Sequence, residues 1–418
     1  MMQRQKRFAA LPIVALFALV LAACGQTPAT TSPAATAVAG STDTVATMAP
    51  AMTMAATDAA TMAPAMTMAA TDAATMAPAM TIAATDAATM APAMTSTTAA
   101  AAPAAGGPKD KVTLQLKWVA QGQFAGYYAA KEKGFYDAEN LDVTLRPGGP
   151  DIVPEQVVAG GQAQFGLDWL PSLLSNREQG VPLVNIAQVF QRSGMREISF
   201  KDKNINAPTD LKGKKVGVWV GGNEFELYAA LAKNNIDKDK DVSIVSQKFD
   251  MNAFLGGELD AASAMTFNEY YQVLAAGHKP EEFNVIDFNK EGTAMLEDGI
   301  FTTESFLQDA KNKDIAARFL RASFKGWDYC RDNAADCVKI VLKNDASGVM
   351  KADAQRWQID EINKLIYPLP SCAKGIGYMC PDAFKQTADI AQKFGVIKKA
   401  PDDKAYTQEI WQMASAKQ

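Results

Sequence analysis

The sequence predicts an α/β protein made of two lobes, and three observations support this fold class. Short strands with apolar residues at alternate positions are each followed by a helical segment, a pattern typical of sheets with parallel neighbouring strands. The pattern runs through two successive units, one beginning near Lys111 and the other near Leu211. The part of the chain that carries it, 109–418, has about 310 residues, enough for two lobes with separate apolar cores.

The N-terminus has the features of a bacterial lipoprotein signal peptide, which we assign to residues 1–23. Arg4, Lys6 and Arg7 precede an apolar run, 11–20, that is shorter than the about twenty residues of a membrane-spanning helix. The motif LAAC ends at Cys24 and resembles a lipobox. This resemblance implies cleavage before Cys24, a lipid such as palmitate on that residue, and anchoring to the outer face of the cell membrane.

Residues 24–108 are predicted to be a disordered tether between the lipid and the folded part. A fourteen-residue repeat, first seen as ATMAPAMTMAATDA from Ala46, brings back methionine at 48, 62, 76 and 90. The segment has almost no aromatic residues, and its regularly spaced prolines interrupt any helix. Copper binding through the methionine thioethers is an alternative, but no His or Cys lies between them.

The stretch 114–136, LQLKWVAQGQFAGYYAAKEKGFY, is predicted to form a strand, a polar turn and a short helix. Leu114 and Leu116 alternate with polar residues, Trp118 ends the strand, and Gly134 stops the helix. Ligands of α/β sheets bind at the carboxyl ends of the strands. The candidate site residues of this stretch are therefore Trp118, Gln121, Gln123, Phe124 and Tyr127.

The rest of the first unit supplies further strand ends. Strands are predicted at 141–145, 163–167 and 183–190, and helices near 155–159 and 173–178. The last two of these strands are followed by residues with polar or aromatic side chains. These candidates are Asp168, Trp169, Gln191 and Arg192.

The second unit repeats the arrangement, with strands predicted at 216–220, 243–245 and 261–265. Glycines 221 and 222 open a helix whose backbone N–H groups would suit an anion. Glu224 and Glu226 occupy its first turn, however, and make a bound anion less favourable. The segments 282–288 and 294–301 return the chain to the first lobe, and from Asp309 it is mostly helical. Candidate site residues of this unit are Trp219, Asn223, Asn268 and Tyr270.

Four cysteines lie in the folded part, an even number that permits disulfides in an exported protein. Three pairings are possible. On one continuous helix, Cys330 and Cys337 would be about 10 Å apart, too far to form a bond. The intervening RDNAAD reads as the end of one helix and the cap of the next, so we favour the local pairs Cys330–Cys337 and Cys372–Cys380.

Charge and histidine content exclude several classes of function. The chain has 41 basic and 46 acidic residues, and loss of the signal peptide takes its net charge from −5 to −8. No basic stripe suggests nucleic-acid binding. The single histidine, His278, rules out a Ser-His-Asp triad and a histidine-based metal site. We therefore expect no enzyme activity, cofactor or metal.

Several runs of the sequence resemble the solute-binding proteins of bacterial ABC importers, in the branch related to thiamine-pyrimidine synthase. The likeness covers 111–394 and is carried by LKWVAQGQFAGYYAAKEKGFY, LDVTLRPGG, AGGQAQFGLDW and LKGKKVGVWVGG. It implies the type II periplasmic-binding-protein fold, with two lobes, a two-segment hinge and a ligand in the cleft. We place lobe I at 109–195 plus 301–418 and lobe II at 196–300. The resemblance also implies delivery of the ligand to an ABC permease, and we expect the protein to be a monomer.

The candidate residues suggest a flat heterocyclic ligand. Tryptophans at successive strand ends offer faces for stacking, and amides nearby offer groups that read ring edges. The resemblance brings in binders of riboflavin and of thiamine pyrimidine precursors. Synthases of the branch carry a histidine where this chain has Phe124, and a wider aromatic wall favours the larger ring of riboflavin. A precursor such as formylaminopyrimidine or hydroxymethylpyrimidine is the alternative, ahead of a nitrate- or sulfonate-type anion, a tethered sensor and a pyrimidine synthase.

Overall fold

The computed structural model describes residues 107–416. The signal peptide, the lipidation site at Cys24 and the tether up to residue 106 lie outside the described residues, so they stay predictions. Within 107–416, no helix has both the length and the apolar character needed to cross a bilayer.

Ten strands and thirteen α-helices form within the described range, and their positions follow the sequence pattern. The strands are β1 Asp110–Gln115, β2 Leu141–Arg146, β3 Phe165–Asp168, β4 Leu183–Gln188, β5 Met195–Phe200, β6 Lys215–Val218, β7 Ser243–Ser246, β8 Ala261–Met265, β9 Phe283–Asp287 and β10 Gly299–Thr303. The helices are α1 Ala125–Glu132, α2 Phe135–Ala138, α3 Pro154–Ala159, α4 Leu170–Glu178, α5 Phe225–Lys233, α6 Asn252–Leu255, α7 Glu269–Ala275, α8 Phe288–Glu291, α9 Ala310–Asp332, α10 Ala334–Lys343, α11 Ala352–Ile366, α12 Pro381–Lys393 and α13 Glu409–Ser415.

The strands form two five-stranded sheets, ordered β2-β1-β3-β10-β4 and β7-β6-β8-β5-β9. In the first, β1 pairs in parallel with β2 and β3; in the second, β6 pairs in parallel with β7 and β8. The first sheet draws its strands from 110–188 and 299–303, and the second from 195–287. The exact lobe limits given above stay a prediction.

Each sheet also contains one antiparallel strand, which the sequence pattern did not predict. β10 runs antiparallel to β3 and β4, and β5 runs antiparallel to β8 and β9. The reason is the path of the chain, because β5 and β10 each enter their sheet from the other lobe. The crossovers 189–194 and 288–298 are therefore the two connections between the sheets.

The first strand is shorter than predicted, since β1 ends at Gln115 and not at Trp118. The backbone of 116–118 instead turns over Gly148, whose N–H donates to the Trp118 carbonyl at 2.9 Å. A Cβ at Gly148 would lie 2.3 Å from the Leu116 carbonyl oxygen, so only glycine allows this approach. Because of this turn, Trp118 lies outside the sheet and faces the space between the lobes.

The helix after this turn packs closely on the long helix α9. A Cβ on Gly326 would lie 2.0 Å from the Gly126 carbonyl oxygen, and one on Gly126 would lie 2.2 Å from the Trp327 ring. The crossing of α1 and α9 therefore requires glycine on both helices. As predicted, α1 ends just before Gly134, which has a φ of 73°.

Both predicted disulfide pairs are present. Cys330 lies near the end of α9 and Cys337 in α10, and the break between the helices brings their Cα atoms to 5.6 Å. The Cα atoms of Cys372 and Cys380 are 5.7 Å apart, in the loop before α12. The helix break at Asn333 is what makes the first pair possible.

A buried glutamate in the second sheet makes stability depend on pH. Glu197 on β5 is 1% exposed, and its carboxyl has one partner among the described residues, the Ser263 hydroxyl at 2.9 Å. Burial raises the pKa of Glu197 well above its ordinary value. The folded protein thus keeps a proton that the unfolded chain releases, and this group's contribution to stability is lost as pH rises above about 4.5.

Glu197→Gln is expected to flatten the fall of stability with pH. As pH rises, the free energy of unfolding of the variant minus that of wild type should increase by up to about 1.4 kcal/mol per pH unit. The increase should stop once the pH exceeds the pKa of Glu197 in the folded protein. Urea unfolding between pH 5 and 9 measures this, with exposed Glu258→Gln as the matched control. A constant difference between variant and wild type across that range would contradict the assignment.

Candidate ligand-binding cleft

A narrow cavity lies between the two sheets, at the carboxyl ends of β1, β3, β6 and β8. The cavity has a volume of about 30 Å³, enough for about two water molecules. The lining residues are Lys117, Trp118, Gln121, Gln123, Trp169, Trp219, Asn223, Met265, Phe267, Asn268 and Glu269.

Three tryptophans provide the aromatic walls of this cavity, and two of them are held by their indole N–H groups. Trp169 donates to the Asp298 carboxylate at 3.1 Å, and Trp219 donates to the Lys248 carbonyl at 3.0 Å. Trp118 is half-buried and packs on the edge of the core. Because the polar atom of each fixed ring already has a partner, the ring faces are left for apolar or stacking contacts.

Lys117 supplies a buried cation at the wall, but a carboxylate neutralises it. Its ammonium group forms an ion pair with Asp168 and lies 5.5 Å from the centre of the Trp169 ring. Burial acts to lower the pKa of Lys117, and the charges of Asp168, Glu155 and Asp298 outweigh it, so that the pKa is raised. Lys117 thus stays charged and paired, and it stiffens the wall beside Trp169.

Asp298 joins two sides of the cavity through its carboxylate. One oxygen accepts from the Trp169 indole, and the other accepts from the Gln123 amide at 2.9 Å. The backbone φ of Asp298 is 23°, in the left-handed region that residues other than glycine seldom adopt. Burial raises its pKa to about 6, against the opposing effect of the Gln123 hydrogen bond. A strained, buried carboxylate is thereby used to orient an amide and an aromatic ring.

The second lobe contributes a carboxylate and an amide at the start of α7. Glu269 accepts from the Met265 backbone N–H at 3.1 Å and from the Asn268 side chain at 2.7 Å. Burial raises the pKa of Glu269 to about 7. Asn268 and Glu269 therefore form a rigid polar corner facing the residues of the first lobe.

The glycine turn before α5 is closed to an anion, as the sequence suggested. The Glu224 carboxylate accepts from the backbone N–H groups of Gly221 and Gly222, at 3.1 and 2.7 Å. The donors that would hold a phosphate or sulfonate are thus already bonded within the chain.

The structure brings seven of the thirteen candidate residues to the cavity wall: Trp118, Gln121, Gln123, Trp169, Trp219, Asn223 and Asn268. Asp168 lies behind the wall, where it holds Lys117. The other five lie elsewhere, and each has a physical reason.

Two of these five, Phe124 and Tyr127, belong to the core of the first lobe. Phe124 is fully buried among apolar side chains. Tyr127 packs edge-on against Trp327, with ring centres 5.4 Å apart. The turn 122–124 is a tight 3-10 helix, so it points Phe124 inward while Gln121 and Gln123 meet the cavity.

Gln191, Arg192 and Tyr270 are also used internally. The Gln191 amide donates to the carbonyls of Gln188 and Tyr378, and the Arg192 guanidinium donates to the Pro368 carbonyl at 2.6 Å. Tyr270 packs on Phe283 in the core of the second lobe. On a helix, one residue beyond Glu269 lies about 100° round the axis, which turns Tyr270 away from the cavity.

The sequence reasoning missed four lining residues: Lys117, Met265, Phe267 and Glu269. Lys117 was read as the polar face of a strand. In the structure Gln115 lies beside Gly166, and two residues later Lys117 lies beside Asp168; the sequence pattern does not give this register, so it could not predict the pair. Met265 and Phe267 carry no signal that separates a cavity wall from a core.

Comparison with known proteins identifies relatives over most of the folded part. Residues 121–336, about half of the chain, match the family described as NMT1/THI5 like. A putative thiamine biosynthesis protein of Haemophilus influenzae is 27% identical over 318 residues, 72% of this chain and 93% of that protein. The formylaminopyrimidine-binding protein of Halalkalibacterium halodurans is 26% identical, over 56% of this chain and 71% of that protein. The riboflavin-binding protein RibY of Chloroflexus aurantiacus is 24% identical, over 75% of this chain and 89% of that protein.

Solved structures confirm the predicted fold class. The periplasmic aliphatic sulphonate-binding protein SsuA of Escherichia coli matches with a TM-score of 0.52 and 15% identity, over 70% of this chain and 90% of that one. The periplasmic nitrate-binding protein NrtA of Synechocystis matches with a TM-score of 0.54 and 13% identity, over 74% of this chain and 89% of that one. At these identities the likeness concerns the fold, which is the type II periplasmic-binding-protein fold.

Protonation of Asp298 is expected to change the fluorescence of Trp169. As pH falls through about 6, the carboxylate beside the indole N–H loses its charge, and tryptophan emission should shift. Asp298→Asn should abolish this step, whereas exposed Asp202→Asn should keep it. Glu269→Gln identifies any step due to the other cavity carboxylate, near pH 7. An unchanged titration in Asp298→Asn would show that Asp298 does not control the ring.

Proposed function

Because the chain belongs to the NMT1/THI5-like family, we propose that it is the solute-binding component of an ABC importer and captures a flat nitrogen heterocycle. The observation that carries the proposal is the interlobe cavity, in which three tryptophan rings and four side-chain amides meet. Aromatic faces hold a planar ring, and a few fixed amides select the groups at its edge. Two lobes joined by two crossovers are suited to closing over such a ligand.

The charge of the cavity supports a neutral ligand over an inorganic anion. Among the lining residues the only cation is Lys117, and Asp168 already neutralises it. Glu269 adds a carboxyl group, and Glu224 fills the backbone anion site before α5. A nitrate- or sulfonate-type ligand would thus meet no free positive group within the described cavity.

The size of the cavity favours a single-ring pyrimidine precursor. The sequence argument for riboflavin rested on Phe124 as part of a wider aromatic wall, but Phe124 is buried in the core of the first lobe. The cavity described is too narrow for either heterocycle unless the lobes separate, and a single-ring pyrimidine needs less separation than the three-ring system of riboflavin. A formylaminopyrimidine-binding protein and a putative thiamine biosynthesis protein are also among the relatives similar to this chain. We therefore propose formylaminopyrimidine or a similar aminopyrimidine as the ligand.

Riboflavin is the second candidate. RibY matches the chain over 89% of its own length, against 71% for the formylaminopyrimidine-binding protein. A ring system of this size requires the lobes to stand further apart than in the structure described, with Trp118 and Trp219 on opposite sides of the ring.

We propose binding without catalysis. Shorter matches to 4-amino-5-hydroxymethyl-2-methylpyrimidine phosphate synthases exist, such as 29% identity over 110 residues of the Legionella pneumophila protein. His278 lies in the second lobe, bonded to Glu282 at 2.9 Å and packed on Phe200, away from the cavity. In the described part of the chain, no three His, Cys, Asp or Glu residues cluster to hold a metal ion.

We further propose that the protein works as a monomer at the outer face of the membrane, attached through a lipid on Cys24 and the repeat tether. The ABC permease is the partner that receives the ligand. A tethered sensor would need the same anchoring, and its partner would be a signalling protein instead.

Calorimetric titration of the full chain with formylaminopyrimidine and with riboflavin tests the ligand class. Tight 1:1 binding of the pyrimidine, and weaker or no binding of riboflavin, is the expected result. The reverse order would establish the second candidate. Saturable binding of nitrate or an alkanesulfonate, with neither heterocycle binding, would overturn the proposal.

Trp118→Ala is expected to weaken binding of the preferred heterocycle by about tenfold, since it removes one stacking face together with its buried area. Trp118→Phe should recover part of this loss. Trp411→Phe is the control, because Trp411 is buried in the first lobe with its indole bonded to the Ile376 carbonyl. Equal affinity of wild type and Trp118→Ala would remove Trp118 from the site.

A further inference from the structure

Helix α11 connects the two lobes beside the cavity, although the sequence pattern marked it only as part of a helical C-terminal region. It packs on α10 and on the turn 122–124 of the first lobe. Toward the second lobe, the Trp357 indole donates to the Thr266 carbonyl at 2.9 Å, and Asp353 accepts from the Tyr271 hydroxyl at 2.9 Å. These contacts join α11 to both lobes beside the cavity, so a movement that separates the lobes must break them.

A chain of side-chain hydrogen bonds passes through Gln358 of this helix. In the first lobe, Gln123 donates to Asp298 at 2.9 Å, and Gln121 donates to Gln123 at 2.8 Å. Gln358 then donates to the side-chain oxygen Oε1 of Gln121 at 3.3 Å. This half of the chain ends at the carboxylate of Asp298.

The other half runs into the second lobe. Gln358 donates to the side-chain oxygen Oδ1 of Asn268 at 3.0 Å, and the Asn268 side-chain NH₂ group donates to the Glu269 carboxylate at 2.7 Å. The side chain of Gln358 is 3% exposed, and its Oε1 has no hydrogen-bond partner within the described residues. One NH₂ group therefore bridges the two lobes.

The chemistry of the ends fixes the direction of every bond in the chain. Ionised carboxylates only accept, so Gln123 and Asn268 must each turn an NH₂ group toward one. The side-chain oxygens of Gln121 and Asn268 then face α11. Each of these two oxygens needs a hydrogen-bond donor from that helix. The NH₂ group of Gln358 meets that need, and a side chain with fewer donors would leave an oxygen unpaired.

We propose that Gln358 is a positioning residue that latches the closed cleft and sets the polarity of the cavity amides. The proposal rests on the proposed function and adds a specificity rule to it. With the chain formed, Gln121, Gln123 and Asn268 each use one N–H within the chain and keep the other for a ligand. The cavity then favours a heterocycle that presents acceptors, such as ring nitrogens or carbonyl oxygens, at several edges.

Two variants separate the latch from a packing role. Gln358→Met keeps the length of the side chain but removes both donors. Gln358→Glu keeps the shape and presents only acceptors to the two carbonyl oxygens. Gln408→Met is the matched control, because the Gln408 amide donates to the Met379 carbonyl away from the cavity. All are studied as the full chain at pH 8, where Asp298 and Glu269 are ionised.

The first readout is stopped-flow kinetics with formylaminopyrimidine or riboflavin, whichever wild type binds more tightly. Loss of the latch should raise koff by about five- to tenfold in Gln358→Met, and further in Gln358→Glu, with kon changed less than about twofold. Gln408→Met should behave like wild type. If Gln358→Glu binds like wild type, only shape matters at this position and the proposal is wrong.

The second readout needs no ligand and therefore fails independently of the proposed function. Spin labels replace exposed Val153 and Phe249, one on each lobe, in a Cys24→Ser chain whose other cysteines are paired. The distance between the labels should lengthen in Gln358→Met and stay unchanged in Gln408→Met. Equal distances in wild type and Gln358→Met would overturn the latch, even if the heterocycle binds as proposed. Binding of neither heterocycle would overturn the proposed function and leave the distance test to decide the latch.

Discussion

The contact on which the arrangement of the two lobes depends is the carboxylate of Glu297 at the point where the crossovers meet. It accepts from the Ser193 hydroxyl and the Gly194 backbone N–H in the other crossover, and from the backbone N–H of Met195 at the start of β5. Ser193 also contacts Glu226 at 2.8 Å, and one hydroxyl hydrogen cannot serve two carboxylates. Burial raises the pKa of both glutamates, that of Glu297 to about 8, so the pair keeps a proton that completes the set of bonds.

The geometry of the cavity follows from this junction. Glu297 ties the second crossover to the first, and the next residue, Asp298, reaches Trp169 and Gln123 on the first lobe. The strands β5 and β10 begin directly after the two crossovers, so the junction also sets the antiparallel strand in each sheet. The same short segment, Glu297 and Asp298, therefore both connects the lobes and orients side chains of the cavity. A substitution there would alter both properties together.

Much of the fold was predictable from the sequence, because strand ends, helix stops and the disulfide break are local signals. The positions of β2, β8 and the break at Asn333 followed from alternation, apolar runs and capping residues. The antiparallel strands were not predictable in this way, since their direction depends on which lobe the chain has come from. The cavity was predicted in part: tryptophans and amides at strand ends signalled it, whereas Phe124 and Tyr270 could be assigned to the core only from the direction of their side chains. Gln358 carried no sequence signal, because its role depends on partners about ninety and more than two hundred residues away.

The two cross-links of the first lobe join cysteines that are only seven and eight residues apart in the chain. Short loops close far more often than long ones in a chain without structure, so each thiol meets its native partner before distant ones. Connectivity alone thereby biases oxidation toward the native arrangement. At the proposed location outside the cell membrane, where disulfides form, this lowers the need for an enzyme that reshuffles wrong bonds.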